Sequence, residues 1–184
     1  MKKHSIRSSR KLKKKAVCTG KMTTNITETE MKNSLKHLME KSNIYFMKYP
    51  DSVREFYRSP YDFLVLTEKC NYAIEVKKIK TKSFPFKNIT EHQIESLLTF
   101  SKLLKRNRSF VLINYRNGKK KASEKINRAY LIDIVDFINA KESTEKKSLP
   151  MEWCENNAVP LKRMKFEKGY GWDLSLLLEP DIIP

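Results

Sequence analysis

With only four glycines in 184 residues and no glycine-rich loop, the chain offers neither a P-loop nor a dinucleotide fingerprint, which excludes phosphate-cradle chemistry of those kinds. Its three cysteines, Cys18, Cys70 and Cys154, are odd in number, scattered and never spaced C-x-x-C. A disulfide framework and a cysteine zinc site are thereby excluded, and reduced thiols point to the cytoplasm. The three histidines, His4, His37 and His92, are as dispersed, which disfavours a structural zinc or a Cys/His dyad. No window approaches a membrane span, and the N-terminal segment lacks the apolar core of a signal peptide, so no membrane partner is expected. Acidic residues are also missing at the start: none precedes Glu28.

What is abundant is positive charge. A formal charge of +17 exceeds what solubility needs and points to a large anionic partner, nucleic acid first. The cations crowd the beginning, from Lys2 and Lys3 through Arg7, Arg10, Lys11 and Lys13 to Lys15 and Lys21. Residues 1–22 therefore read as a disordered basic arm, either a solubilising tail or a sequence-independent nucleic-acid contact. Residues 23–184 read as one domain, since an apolar fraction of 40% suffices for a single core.

The chemistry concentrates in two short stretches. Ser59-Pro60-Tyr61-Asp62 leads into the apolar run Phe63 to Leu66, and Tyr72 to Ile79 mixes β-branched and apolar residues around Ala73-Ile74-Glu75-Val76-Lys77. Two strands joined by a turn near Lys69 to Asn71 follow. Alternation places Glu75 and Lys77 on one face and Ile74, Val76 and the stem of Lys78 on the other. A hairpin brings Asp62 to the edge occupied by Glu75, which sets two hard oxygen ligands beside one cation, as suits Mg²⁺.

Other elements frame that pair. A helix is predicted over Thr27 to Lys41, with Met31, Leu35, Leu38 and Met39 on its apolar face. Glu28 points toward that face and Glu30 away from it, Thr27 and Glu30 forming a T-x-x-E capping box. Ile44 to Met47 reads as a short strand ended by Pro50. Thr90 opens a second helix with a T-x-x-Q box to Gln93 and an inner face of Ile94, Leu97, Leu98, Ser101 and Leu104. Ser109 to Tyr115 and Arg128 to Ile134 read as strands around an Asn117-Gly118 turn, followed by a helix from Asp133 to Ala140 that packs Val135, Phe137 and Ile138. Met151 to Asn157 reads as a short helix with Trp153 as a core or dimer anchor. The end, from Tyr170 through Trp172 to Leu178, is amphipathic and is expected to pack back on the domain.

The order Pro60-Tyr61-Asp62-Phe63, Ala73 to Lys77, then Ser83-Phe84-Pro85-Phe86-Lys87-Asn88-Ile89-Thr90-Glu91-His92-Gln93-Ile94-Glu95 resembles Holliday junction resolvases of the RecU type, within the PD-(D/E)xK nuclease superfamily. The resemblance runs from Thr27 to about Arg116 and includes Ile44 to Ser52. It implies an α/β fold, a restriction-endonuclease-like mixed β-sheet flanked by helices. It also implies a homodimer that makes paired Mg²⁺-dependent nicks in four-way DNA junctions, with Mn²⁺ as a substitute ion.

Carried over residue by residue, the resemblance implies that Asp62, Glu75 and the Val76 carbonyl hold the metal and that Lys77 acts on the attacking water or the phosphate. Gln93 is then either a capping residue alone or a group beside the active site. Glu28 takes the place of an acid that joins the metal site, although the family's glycine and phenylalanine before that acid are missing here. Arg54, Phe56, Tyr57 and Arg58 lie in the segment Asp51 to Pro60, which corresponds to a junction-entering stalk and is short here. That segment is either such a stalk, with Arg54, Tyr57 and Arg58 on DNA, or a loop whose aromatics pack on the core. Lys78, Lys80, Lys82 and Lys87 extend a basic ribbon suited to the phosphate backbone, and Lys119, Lys120, Lys121 and Lys125 form a basic turn. A non-catalytic junction binder on the same fold and a general DNA endonuclease are the rival readings. A chain rich in Lys, Asn and Ile is compatible with a bacterial or a phage source, nucleoid-associated or in host cytoplasm.

Overall fold

The computed structural model describes residues 25–50, 59–118, 121, 123 and 125–179. Its centre is a mixed six-stranded sheet, built from β1 (Tyr45–Lys48), β2 (Phe63–Leu66), β3 (Asn71–Ile79), β5 (Asn107–Arg116), β6 (Asn127–Asp133) and β8 (Val159–Leu161), in the order β1-β2-β3-β5-β6-β8. The β3 and β5 strands run parallel, and every other neighbouring pair is antiparallel. The parallel pair needs a crossover, and α2 (Glu91–Leu103) supplies it. A second pairing joins β4 (Ser83–Pro85) to β7 (Ser148–Pro150) beside α3 (Ile134–Glu142) and α4 (Met151–Asn157). Finally β9 (Arg163–Phe166) and β10 (Gly169–Trp172) form a hairpin that meets α1 (Ile26–Lys41). This is the expected α/β class, a mixed sheet with helices on both faces.

Strand alternation divides the core cleanly. Phe110 and Leu112 of β5 join Ile74 and Val76 of β3 beneath Met31, Leu35 and Leu38 of α1. The intervening Val111, Ile113 and Tyr115 turn the other way, toward Ile94 and Leu97 of α2 and Phe137 of α3. A strand buried on both sides has no polar face, so β5 reads as the near-continuous apolar run seen in the sequence.

The largest departures from the sequence reading concern α1 and the C-terminal part. Asn25, not Thr27, caps α1, its side chain accepting from the Thr27 N–H. Thr27 is buried instead, and its hydroxyl donates to Asn114 Oδ1 at 3.3 Å. Glu30 does not turn to solvent: it is buried, and its Oε1 accepts from Arg116 and Arg163, both at 2.9 Å. Met39, assigned to the apolar face, is exposed.

The partners come from β5, which carries Asn114 and Arg116, and from the β9–β10 hairpin, which carries Arg163 and which the sequence reading did not contain. The hairpin packs tightly on α1. It approaches α1 so closely at Gly171 that a Cβ there would lie 2.4 Å from Ser34 Oγ and 2.7 Å from the Glu30 carbonyl. Ser34 Oγ in turn accepts from the Trp172 N–H at 2.6 Å. Polar residues on the buried stripe of α1 are thus satisfied across the interface, which a count of apolar positions misses.

Smaller corrections follow the same pattern. Leu104 ends α2 as its C-cap and is exposed, and Val135 on α3 is exposed while Ile134, Phe137 and Ala140 are buried. Trp153 is half-buried and packs on the α2-side core. The tail does pack back, with Trp172, Leu174 and Leu177 in the α1-side core. Met1 to Thr24, Asp51 to Arg58, Lys119 and Lys120 lie outside the described residues, and with them the arm and the cations and aromatics of the proposed stalk.

Candidate active site

The β2–β3 ladder ends at the pair Phe63↔Ile74, and Asp62 stands one residue before it. Its backbone carbonyl accepts from the Tyr49 N–H at 2.9 Å, which ties it to the end of β1. Its side chain then does what a further strand residue would do: Oδ2 accepts from the Val76 N–H at 2.8 Å. Asp62 is therefore oriented by backbone on both sides and delivered to the strand that carries Glu75.

Glu75 is only 1% exposed, a rare environment for a carboxylate. On the same face of β3, Lys77 Nζ lies 2.7 Å from Glu75 Oε1. Gln93 approaches that oxygen from α2, its amide nitrogen donating at 2.6 Å. The amide cannot be turned over without loss, because its oxygen already accepts from the Thr90 N–H at 3.1 Å in the capping box and from Lys77 Nζ at 3.4 Å. Capping and site roles thus fall on one side chain: helix N-terminal geometry sets the amide, and the amide sets Glu75.

The electrostatics of the pair are those of two acids kept short of compensation. Burial raises the Glu75 carboxyl to about 7, with the neighbouring Asp62 charge adding to it and Lys77 opposing. Burial likewise raises Asp62, against the favourable hydrogen bond from Val76. Glu28 contributes to both shifts, so α1 brings a third negative charge to the neighbourhood. Glu28 is itself held by Lys48 Nζ at 2.7 Å and by Asn25 Nδ2 at 2.7 Å. Lys48, to which the sequence reading gave no role, is the second lysine of the site. Its place at the end of β1, facing α1, is a tertiary fact with no local signal.

Glu75 Oε2 is buried with no hydrogen-bond partner, as is Oε2 of the structural Glu30. Leaving a carboxylate oxygen in that condition costs free energy unless a cation takes it. Among the described residues no three His, Cys, Asp or Glu side chains converge as a metal-binding group. Asp62 and Glu75 are the two neighbouring carboxylates that could hold a cation here. Mg²⁺ is bound in that way, through one or two carboxylates and phosphate oxygens.

Of the other predicted contacts, those among the described residues are exposed. Lys78 is exposed and lies one residue on from Lys77, hence on the opposite face of β3. Lys80, Lys82 and Lys87 are exposed along the connection from β3 to α2, as a solvent-facing basic ribbon requires. His92 is exposed on the first turn of α2. No helix among the described residues is long and apolar enough to cross a membrane.

Comparison with known proteins adds family information to this geometry. The family model for RecU, Recombination protein U, matches residues 8–168. No curated protein sequence matches the chain. Among solved structures, the chain is similar to Hjc, a Holliday junction resolvase of the archaeal hyperthermophile Archaeoglobus fulgidus, with a TM-score of 0.47 and 16% identity, over 72% of this chain and 94% of that one.

Proposed function

Because the chain belongs to the Recombination protein U family, we propose that it is a Mg²⁺-dependent DNA endonuclease of the cytoplasm that, as a homodimer, resolves four-way junctions by paired nicks, with Mn²⁺ able to replace Mg²⁺. The observation that carries the chemistry is the buried Glu75 carboxylate, paired with Lys77, with a second acid, Asp62, beside it. A purely structural ion pair of Glu75 with Lys77 would have no need of a second acid next to it.

Asp62, Glu75 and the Val76 carbonyl would hold the metal, with Glu28 at its margin. A bound Mg²⁺ supplies Lewis acidity toward the phosphate and lowers the pKa of water. The chain's own side chains do the rest. Lys77, fixed between Glu75 and Gln93, is placed to orient the attacking water and to offset charge that builds on the phosphate oxygens. Gln93 fixes Glu75 through the bond that its amide N–H donates to Oε1. In the hydrolysis, the water oxygen bonds to phosphorus, the bond from phosphorus to O3′ breaks, and the O3′ takes a proton. The products are 5′-phosphate and 3′-hydroxyl ends.

The test is incubation of the full chain with labelled four-way junctions and linear duplex, with and without Mg²⁺. Paired nicks in the junction that need the metal and disappear in Glu75→Gln support the reading. Equal cutting of linear duplex would make the chain a general endonuclease. Junction binding without cleavage under any divalent metal would make it a binding protein.

A further inference from the structure

Between β4, α3 and the loop before β7 lies a cavity of about 570 Å³ that the catalytic reading does not use. Pro85 and Phe86 form its apolar floor, and Lys87, Lys141, Lys146 and Lys147 stand around it. We propose that this cavity is a second contact for the DNA strand, its lysines holding phosphates next to the cleaved bond and its floor taking an unstacked base. The proposal rests on the nuclease reading and adds to it where the strand goes on leaving the metal site.

The site is built rather than incidental. Phe86 is held edge-on against Phe137 at 5.7 Å, and its N–H donates to the Lys147 carbonyl at 3.2 Å, so floor and lysine-bearing loop are joined. Lys87, Lys146 and Lys147 are exposed and make no ion pair among the described residues, and Lys141 pairs with the exposed Glu91 at 2.8 Å. Four cations line the hollow and no carboxylate does, although Glu142 and Glu145 stand in the same segment and Glu91 pairs with Lys141, so the lining itself favours an anionic ligand.

Position decides which anion. Glu91 and Gln93 share the first turn of α2, one reaching Lys141 and the other Glu75. One helical turn therefore links a lysine of the cavity rim to the buried Glu75, which is what places the rim within reach of a strand bound at the carboxylates. A nucleotide alternates an anionic phosphate with a flat apolar base, matching rim and floor, and the volume lies in the range of small-molecule sites.

The experiment uses the full chain and a four-way junction carrying 2-aminopurine at single positions flanking the cleaved bond, without divalent metal. In the parent, one position should brighten on binding as its base leaves the stack. Lys146→Glu/Lys147→Glu should abolish that brightening, weaken binding about tenfold at 0.1 M salt, and lower the log-log salt slope by about 1.8 for two lost phosphates. With Mg²⁺ and saturating enzyme it should still cut. Lys146→Gln/Lys147→Gln should move in the same direction by less, and thermal melts of both variants should match the parent. Parent-like affinity and salt slope in a folded variant would overturn the proposal and leave the cavity to an acidic protein partner. So would the absence of any brightening position in a parent that binds and cuts. A parent that neither binds nor cuts the junction would instead sink the nuclease reading.

Discussion

Asp62 and Val76 are joined by a 2.8 Å hydrogen bond in which a side chain continues the β2–β3 ladder past its last strand pair. The aspartate therefore has two separable duties, one to the backbone and one to a cation. Asp62→Asn keeps an oxygen that accepts from Val76, whereas Asp62→Ala leaves that N–H unpaired. We expect both to lose cleavage by a factor of roughly 10² or more. Only the alanine variant should lose stability, by about 1 to 3 kcal/mol. Single-turnover cleavage and urea melts measure the two effects, and normal cleavage by Asp62→Asn would remove it from the metal site.

Gln93 lends itself to a sharper substitution. Glutamate at the third position of a helix also completes a capping box, so Gln93→Glu preserves the bond from the Thr90 N–H. It replaces the N–H that faces Glu75 with a carboxylate oxygen. Thermal stability in the presence of Mg²⁺ should stay within about 1 kcal/mol of the parent, while the cleavage rate falls by on the order of tenfold or more. Parent-like rates would leave Gln93 a capping residue and nothing else.

The pair also predicts how metal and pH act on stability. The Glu75 carboxyl is raised from 4.5 to about 7 in the folded chain, so in that window the folded state holds a proton that the unfolded state has released. Its contribution is fully present below about 4.5 and is lost as pH rises through about 7. The metal-free protein should accordingly soften between these values, and Mg²⁺, which binds the deprotonated acids, should restore more stability at pH 8 than at pH 5. Melts in EDTA and in Mg²⁺ would show this, with Glu75→Gln lacking most of the difference. A Mg²⁺ shift that is equal at both pH values in the parent would contradict the assignment.

Deleting Met1 to Lys21 addresses the basic arm. Each phosphate contact it makes contributes about 0.9 to the log-log salt slope on duplex DNA. The truncated chain should bind more weakly and with a flatter slope, yet cut normally at saturating enzyme. Unchanged affinity and slope would reduce the segment to a solubilising tail.

Replacing Arg54, Phe56, Tyr57 and Arg58 by alanine tests junction selectivity in the same way. Phosphate contacts are common to junction and duplex, whereas stacking at an opened crossover, about 1 to 3 kcal/mol per base, is available only in the junction. The preference for junctions should fall while cleavage chemistry is spared. A folded variant that discriminates as the parent does would show that this segment does not enter the junction.

Local order carried most of the catalytic geometry. The alternation of Ile74, Glu75, Val76 and Lys77 assigns faces because the strand period is two, and the tight turn before Asn71 forces Asp62 back toward Glu75. The T-x-x-Q cap of α2 was legible for the same reason, as Thr90 and Gln93 bond within one turn. On α1 the same logic failed. Thr27 and Glu30 have the spacing of a capping box, but Asn114, Arg116 and Arg163, distant in sequence, claim their side chains, and Asn25 caps instead. Strands of three or four residues such as β8, β9 and β10 carry too few positions to show a period, and they exist because α1 and the sheet edge offer them partners. The grouping of Asp62, Glu75 and Lys77 was thus legible in the sequence, since a short turn and strand parity leave it little freedom, whereas the contact of Gln93 with Glu75 needed α2 packed on β3. The placing of Glu28 and Lys48 beside it, and of four lysines around Phe86, was decided only by tertiary packing, where long-range contacts override local preference.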